Sequence, residues 1–276
     1  MKKITLFSVI TVLCLLSFQE GSAGRKRIST EIAQNEYSFK DIEKEIIFGR
    51  EMAAIILADY QLLEREQLNR YVNLVGNAVL QHGSRQEIPF HFAVIDSPII
   101  NAYAAPGGYI FITRAALDLM RSEAELAGVL AHEIAHVTER HIVKALKIKA
   151  EDDSATATFG KVLGSSSSSA NVIFDQAVNK AIEILFSAGL QQEDEFNADE
   201  IGIILTSVSG YDPIAYYRYL ERIRPYVEKN NGQLNKTHPP LTIRLEKLED
   251  IIESENLNDL DGFINLARFE NNYQSP

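Results

Sequence analysis

The stretch Leu126-Ala-Gly-Val-Leu-Ala-His132-Glu133-Ile-Ala-His136-Val137 decides how this chain is read. Just before it, Ser122 and Glu125 form a capping box, the N-terminal signature of a helix, and the sequence predicts one long helix from there to about Lys149. Nearly every neighbour of His132, Glu133 and His136 is apolar or small on all sides of that helix, so the three polar groups are expected to be buried. Burying them without partners is costly, and something must satisfy them. His132 and His136 are four residues apart, about 40° from alignment at ~100° per residue, so both rings leave one face and can grip one ion. Glu133 lies beside that face, within reach of a water at the ion. Two core histidines and a buried ion pair would be the bland reading, and the capped, apolar helix weighs against it.

A zinc site of this kind needs a third protein ligand and an open fourth position. His141 is nine residues after His132, about 180° round an unbroken helix, so it cannot close the site unless the helix breaks. A glycine three residues after the second histidine, followed by a further histidine, would supply another known arrangement, but those positions hold Glu139 and Ile142. The best source is the acidic segment Gln191-Gln-Glu193-Asp194-Glu195-Phe196-Asn197-Ala198-Asp199. Glu195 and Asp199 share one helical face, so one carboxylate can bind the ion while the other accepts the free N–H of a ligating histidine. On spacing alone Glu193 and Asp194 stay open as ligands, and acidic runs are usually solvated faces.

Working outward, a helix is expected from Ser38 to about Tyr60 and a second from Arg65 to Gln81, with Leu68, Tyr71, Val72, Leu74 and Val75 inward. Two β-like runs follow, Phe90 to Ile95 and Ala102 to Thr113, the second interrupted by Pro106-Gly107-Gly108. They read as a small sheet. The Gly- and Ser-rich stretch Glu151 to Ala170 reads as a surface loop, placed between the two helices with metal-ligand candidates. Helices resume near Val172, at Gln191 to Ser207, after the Asp212-Pro213 cap and at Leu241 to Ile252, while the acidic tail shows no strong periodicity.

The chain has 276 residues, 46% hydrophobic and 24% charged, which excludes a disordered or low-complexity protein. A net charge of −11 repels phosphate backbones and argues against nucleic-acid partners. The single cysteine, Cys14, excludes a disulfide framework and a Cys-rich zinc module. Lys2 and Lys3, the apolar run Ile4 to Phe18 and the small residues Gly21, Ser22 and Ala23 read as a signal peptide over 1–23, cleaved after Ala23. The expected organisation is that signal, a polar arm over 24–37 and a single domain over 38–276. No apolar run beyond Phe18 is long enough to span a membrane, which leaves peripheral membrane contact open.

Further motifs carry a resemblance. Gly49-Arg50-Glu51-Met52, Asn101-Ala-Tyr-Ala104, Pro106-Gly107-Gly108, His132-Glu-Ile-Ala-His136 with Arg140-His141, Glu195-x-x-Ala198-Asp199-x-x-Gly202 and Thr237-His238-Pro239-Pro240 occur in order. Together they resemble the M48 family of zinc metallopeptidases, more closely its exported bacterial members than its multi-span ones. The resemblance implies an α+β, mainly helical, minigluzincin-like zincin fold with a small sheet over the active-site helix. It implies one Zn²⁺ per chain, selects Glu195 as the third ligand beside His132 and His136, and makes Asp199 its supporting partner. Glu133 would be the catalytic base. The resemblance also brings His238 to the metal, as an oxyanion donor or, at rest, a fourth ligand. Asn101, Ala102, Tyr103 and Ala104 would form an edge strand that takes substrate as an added strand. The implied function is an endopeptidase acting on unfolded or misassembled envelope proteins in the periplasm or cell envelope of a bacterium. The alternative is a zinc-dependent chaperone or scaffold with little proteolysis.

Overall fold

The computed structural model describes residues 39–146, 168–229 and 233–274. The expected signal peptide and polar arm, and most of the Ser165–Ser169 run, lie outside the described residues. Helix α1 (Phe39–Asp59) and helix α2 (Glu66–Leu80) lead into strand β1 (His91–Ile95), strand β2 (Ala102–Ala105), a single 3₁₀ turn (Pro106–Gly108) and strand β3 (Tyr109–Thr113). Then come α3 (Arg114–Asp118), α4 (Glu123–Thr138), α5 (His141–Ala145), α6 (Ser168–Glu183), a π-type turn (Ile184–Ala188) and α7 (Gln192–Val208). The chain continues through α8 (Ile214–Lys229), α9 (Gln233–Thr237), α10 (Leu241–Ser254) and α11 (Leu266–Gln274). The fold is α+β and mainly helical, as the resemblance implies, with a small sheet.

The sheet has the order β1-β3-β2, with β1 parallel and β2 antiparallel to β3. Its period-two alternation sorts side chains between two cores. Phe92, Val94, Ala102, Ala104, Ile110 and Ile112 enter a large cluster built on α2, α4, α7, α8 and α10. Ile95, Tyr103, Ala105 and Phe111 enter a smaller one with α1, α5 and α6. The sheet is therefore covered on both faces, and α4, buried along nearly its whole length, runs under one of them. At roughly 25 cal/mol per Å² of apolar surface, an all-round apolar helix is stable only in such a slot.

Two motifs that are far apart in sequence meet beside the sheet. A Cβ at Gly49 would lie 1.7 Å from the Pro106 carbonyl oxygen, so only glycine lets α1 pass over the Pro-Gly-Gly turn. Next to this contact the buried Glu45 accepts from Arg85 Nη1 and Nη2 at 3.3 and 3.2 Å and pairs with Arg140 Nε at 3.1 Å. Glu45 thus ties α1 to the end of α4.

Several expectations need correction. The helix that starts at Ser122 does not run on to Lys149: it ends at Thr138, because Arg140 takes a left-handed conformation (φ 56°, ψ 38°), and α5 starts in a new direction. Leu74 faces solvent at 62% exposure, whereas Val79 and Leu80 turn inward. Ser168 and Ser169 begin α6 and are not loop. The tail holds α11, whose Phe269 is buried and whose Arg268, with Asn265 just before the helix, donates to the buried Glu123 at the start of α4. The capping box forms differently from the simple pattern: Glu125 N–H donates to Ser122 Oγ at 3.3 Å, but the Glu125 carboxylate accepts from Arg121 N–H.

Candidate metal centre

Helix α4 presents His132 and His136 one turn apart, with their Nε2 atoms 3.0 Å from each other. Both are almost fully buried, as is Glu133 between them in sequence. Helix α7 lies against α4 so closely that a Cβ at Gly202 would sit 3.0 Å from both Cα and N of His132. That approach delivers Glu195. Its Oε2 is 3.7 Å from His132 Nε2 and its Oε1 is 3.6 Å from His136 Nε2. Of the acidic run at the start of α7, Glu193 is exposed and Asp194 half-buried, while Glu195 has no exposed surface. The remainder of the run suits the positive end of the helix dipole.

The three residues fit a cation. Their donor atoms lie within 4.8 Å of one another, and Glu195 Oε1 is buried without a hydrogen-bond partner among the described residues. An orphaned carboxylate oxygen facing two imidazole nitrogens is costly by itself and satisfied by a dication. Two imidazoles and one carboxylate form a donor set that suits zinc.

Behind the cluster is a buried polar network. Asp199 Oδ1 is 2.9 Å from His132 Nδ1, so it can accept that N–H and fix the ring with Nε2 free. Arg244 on α10 grips Asp199 with two donors, Nη2 to Oδ1 at 2.6 Å and Nε to Oδ2 at 2.8 Å. Tyr216 on α8 donates its hydroxyl to Asp199 Oδ1 at 2.8 Å and accepts from Arg244 at 2.7 Å. Burial pushes the Asp199 carboxyl up, but the Arg244 guanidinium and His132 outweigh it and hold it well below the usual carboxylate range. Glu195 is likewise held low: burial opposes ionisation, and His238 and His136 overcome it. For Glu133 the Arg244 charge compensates only in part, and burial, reinforced by the nearby Glu195 charge, pushes its carboxyl up to about 8. Burial lowers both His132 and His136, keeping the rings neutral and able to donate a lone pair.

Sequence reasoning missed Arg244 and Tyr216. A signal was present for the first: Leu241, Leu245, Leu248 and Ile252 mark the inward face of α10, and Arg244 falls on that face. A buried arginine amid leucines requires an acid opposite it. Tyr216 had no comparable signal. His141 was set aside as a ligand on the ground that a continuous helix carries it away. The helix breaks at Arg140, and His141 Nδ1 comes to 2.9 Å from His136 Nδ1, the side of the ring facing away from Glu195.

His238 also reaches the cluster, its Nδ1 2.5 Å from Glu195 Oε2. It hangs from the end of α9, with its backbone N–H donating to Leu234 O at 2.8 Å. Pro239 stops that short helix there. Asn101 immediately precedes β2 and donates from Nδ2 to Thr237 Oγ1 at 3.5 Å, which links the strand to the turn bearing His238. Ala102, Tyr103 and Ala104 are buried, and Glu133 lines the clefts on either side of the cluster together with Ala102. The small side chains pack inward, so the room beside them is lateral, along the strand edge.

A cation-competent cluster set in a cleft beside a sheet edge, on a helix held by such a network, is the layout of a metallopeptidase domain. The chain belongs to Peptidase family M48, whose sequence profile matches residues 66–252. The "Beta-barrel assembly-enhancing protease" of Yersinia pestis is 32% identical to it over 209 residues, which cover 72% of this chain and 42% of that protein. The "Mitochondrial metalloendopeptidase OMA1" of Schizosaccharomyces pombe is 27% identical over 186 residues, 65% of this chain and 52% of the other. "Metalloprotease LoiP" of Escherichia coli (strain K12) is 23% identical over 195 residues, 70% of this chain and 72% of the other. The chain spans less than half the length of the beta-barrel assembly-enhancing protease it matches. Among the described residues no helix is long and apolar enough to cross a membrane.

Proposed function

We propose that this chain is a zinc endopeptidase that cuts unfolded or misassembled polypeptides of the bacterial cell envelope. The observation that carries the reading is the buried trio His132, His136 and Glu195 with an unsatisfied carboxylate oxygen, set beside Glu133 and the edge of β2. His132, His136 and Glu195 hold the ion, and Asp199 orients His132. When bound, Zn²⁺ supplies a Lewis acid that polarises a peptide carbonyl and acidifies water toward a pKa of about 7. Glu133 takes a proton from the attacking water and passes it to the leaving amine. His238 donates to the oxygen that gains charge as the carbonyl is attacked. Glu133 acts from its carboxylate form, which a cation held by His132, His136 and Glu195 would favour against the upward push of burial.

Substrate pairs with β2. Thr113 N–H donates to the Asn101 carbonyl, which puts Asn101, Tyr103 and Ala105 in the bonded pairs with β3 and turns the backbone groups of Ala102 and Ala104 outward. The Ala102 N–H is taken by Asn101 Oδ1 at 3.0 Å, leaving the Ala102 carbonyl and both backbone groups of Ala104 for a peptide. Main-chain recognition of this kind favours extended, unfolded segments. Beside Glu133, the apolar walls formed by Val129, Tyr219, Leu220, Ile223 and Leu234 suit an apolar side chain next to the cut bond.

Export rests on the signal-like segment over 1–23, and the envelope setting on the printed name of the beta-barrel assembly-enhancing relatives. The test is to incubate the purified chain with one β-barrel protein, presented unfolded and folded, with and without a chelator. Cleavage of the unfolded form alone, abolished by chelation, is expected. Equal cleavage of both forms, or cleavage that survives chelation, would refute the reading.

A further inference from the structure

We infer that His141 is the positioning residue of His136, fixing its tautomer and ring direction as Asp199 does for His132, but with a neutral acceptor. The inference rests on the reading of His136 as a metal ligand. An unbroken helix would carry residue 141 about 140° round from residue 136. The chain instead leaves the helix at Arg140, whose left-handed backbone is rare for a residue with a side chain and is braced by the pairing of its guanidinium with Glu45. That break returns His141, 2% exposed, to the back of the His136 ring. The two Nδ1 atoms are 2.9 Å apart, and the rings meet at 77° with centroids 5.0 Å apart, an edge-on approach suited to an in-plane N–H···N bond.

The chemistry fixes the direction of that bond. His136 Nε2 faces His132 and Glu195, so for its lone pair to serve an ion the ring proton must sit on Nδ1. His136 Nδ1–H therefore donates, and His141 Nδ1 accepts. His141 is left with its proton on Nε2, on the side of Asp194 Oδ1 at 3.8 Å on the rim of α7. The two ligand rings are thus held by unlike partners. His132 faces a full carboxylate locked by Arg244, whereas His136 faces an imidazole that brings no charge into a site already holding Glu133, Glu195 and Asp199. Removing the acceptor leaves a buried N–H unpaired and allows the ring to take its other tautomer, with Nε2 blocked by a proton.

Two substitutions of nearly equal size separate positioning from mere packing. Asn places an oxygen where His141 has Nδ1; Leu fills the same space and accepts nothing. Zinc affinity, measured by competition with a chromogenic chelator, is expected to fall 10–100-fold in His141→Leu and to stay within about threefold of wild type in His141→Asn. Equal losses in both variants, or wild-type affinity in His141→Leu, would overturn the inference. The wild-type protein supplies a measurement that needs no variant to fold. In long-range ¹H–¹⁵N spectra of the zinc-free, histidine-labelled chain, where no ion dictates the tautomer, the His136 proton is expected on Nδ1, and a proton on Nε2 would overturn the inference as well. Failure of the wild-type chain to bind zinc at all would instead remove the metal reading and this inference with it.

Discussion

Replacing Arg244 by Met tests the buried network directly. Arg244 is 2% exposed and Asp199 has no exposed surface, so the methionine leaves a carboxylate with Tyr216 and His132 as its remaining partners. Two charge-assisted bonds to Asp199, at 2.6 and 2.8 Å, are lost together with a third to Tyr216. Breaking a buried pair by removing one member costs about 3–5 kcal/mol, a large share of the roughly 5–15 kcal/mol that stabilises a whole domain. For a domain of this size each kcal/mol is worth about 2–4 °C, so the melting temperature of chelator-treated protein should fall by about 6–20 °C. The double variant Arg244→Met, Asp199→Asn removes the orphaned charge and should recover more than half of that loss. Its zinc affinity should remain 10–100-fold down, because His132 has lost its carboxylate. A single variant that melts within 2 °C of wild type, or a double variant less stable than the single one, would refute the reasoning.

Other predictions follow from the same geometry. Gly202→Ala forces its Cβ against the His132 backbone and should push α7 away from α4, costing about 1–3 kcal/mol and lowering zinc affinity more than tenfold; calorimetry and chelator competition measure both. His238→Ala should cut turnover of an unfolded substrate at least tenfold while the zinc content stays at one per chain, and an equal loss of both would assign it a ligand role instead. Burial raises the hydroxyls of Tyr71, Tyr103, Tyr211 and Tyr219, Tyr103 to about 12. A raised folded value contributes stability below the unfolded value of 10.0 and loses it as pH climbs toward the folded one, at about 1.4 kcal/mol per pH unit for each tyrosine. Phenolate absorbance and circular dichroism followed from pH 9 to 12 should therefore change together, and phenolate formation in these tyrosines ahead of unfolding would contradict the burial argument.

The helix of the cluster was legible because local and global signals agree there: a capping box, apolar residues on every side and three polar groups that must be satisfied. Glu195 was legible only by resemblance, since spacing also allowed Glu193 and Asp194; burial of α7 along the Ala198 and Gly202 face is what turns Glu195 inward. The break at Arg140 carries no glycine or proline to announce it. It depends on Glu45, which is 95 positions earlier in the chain and is shared with Arg85. Helix α11 escaped notice because Leu266, Phe269 and Tyr273 form a thin apolar stripe, and the anchoring of Arg268 and Asn265 on Glu123 is a long-range contact. Leu74 was misplaced by pattern alone: Val72, Leu74 and Val75 cannot all face one side of a helix, and the core side holds Val72 and Val75.

The central claim is that His132, His136 and Glu195 hold a catalytic metal and that Glu133 uses it. One sample decides it: purified Glu133→Gln, assayed for bound zinc and for hydrolysis of an unfolded protein beside the wild type. The account predicts one zinc per chain in both and hydrolysis lower by about 10³ or more in the variant, a loss that combines removal of the general base with the electrostatics around it. Hydrolysis by the variant at the wild-type rate, or a wild-type chain that cuts without metal, would contradict it.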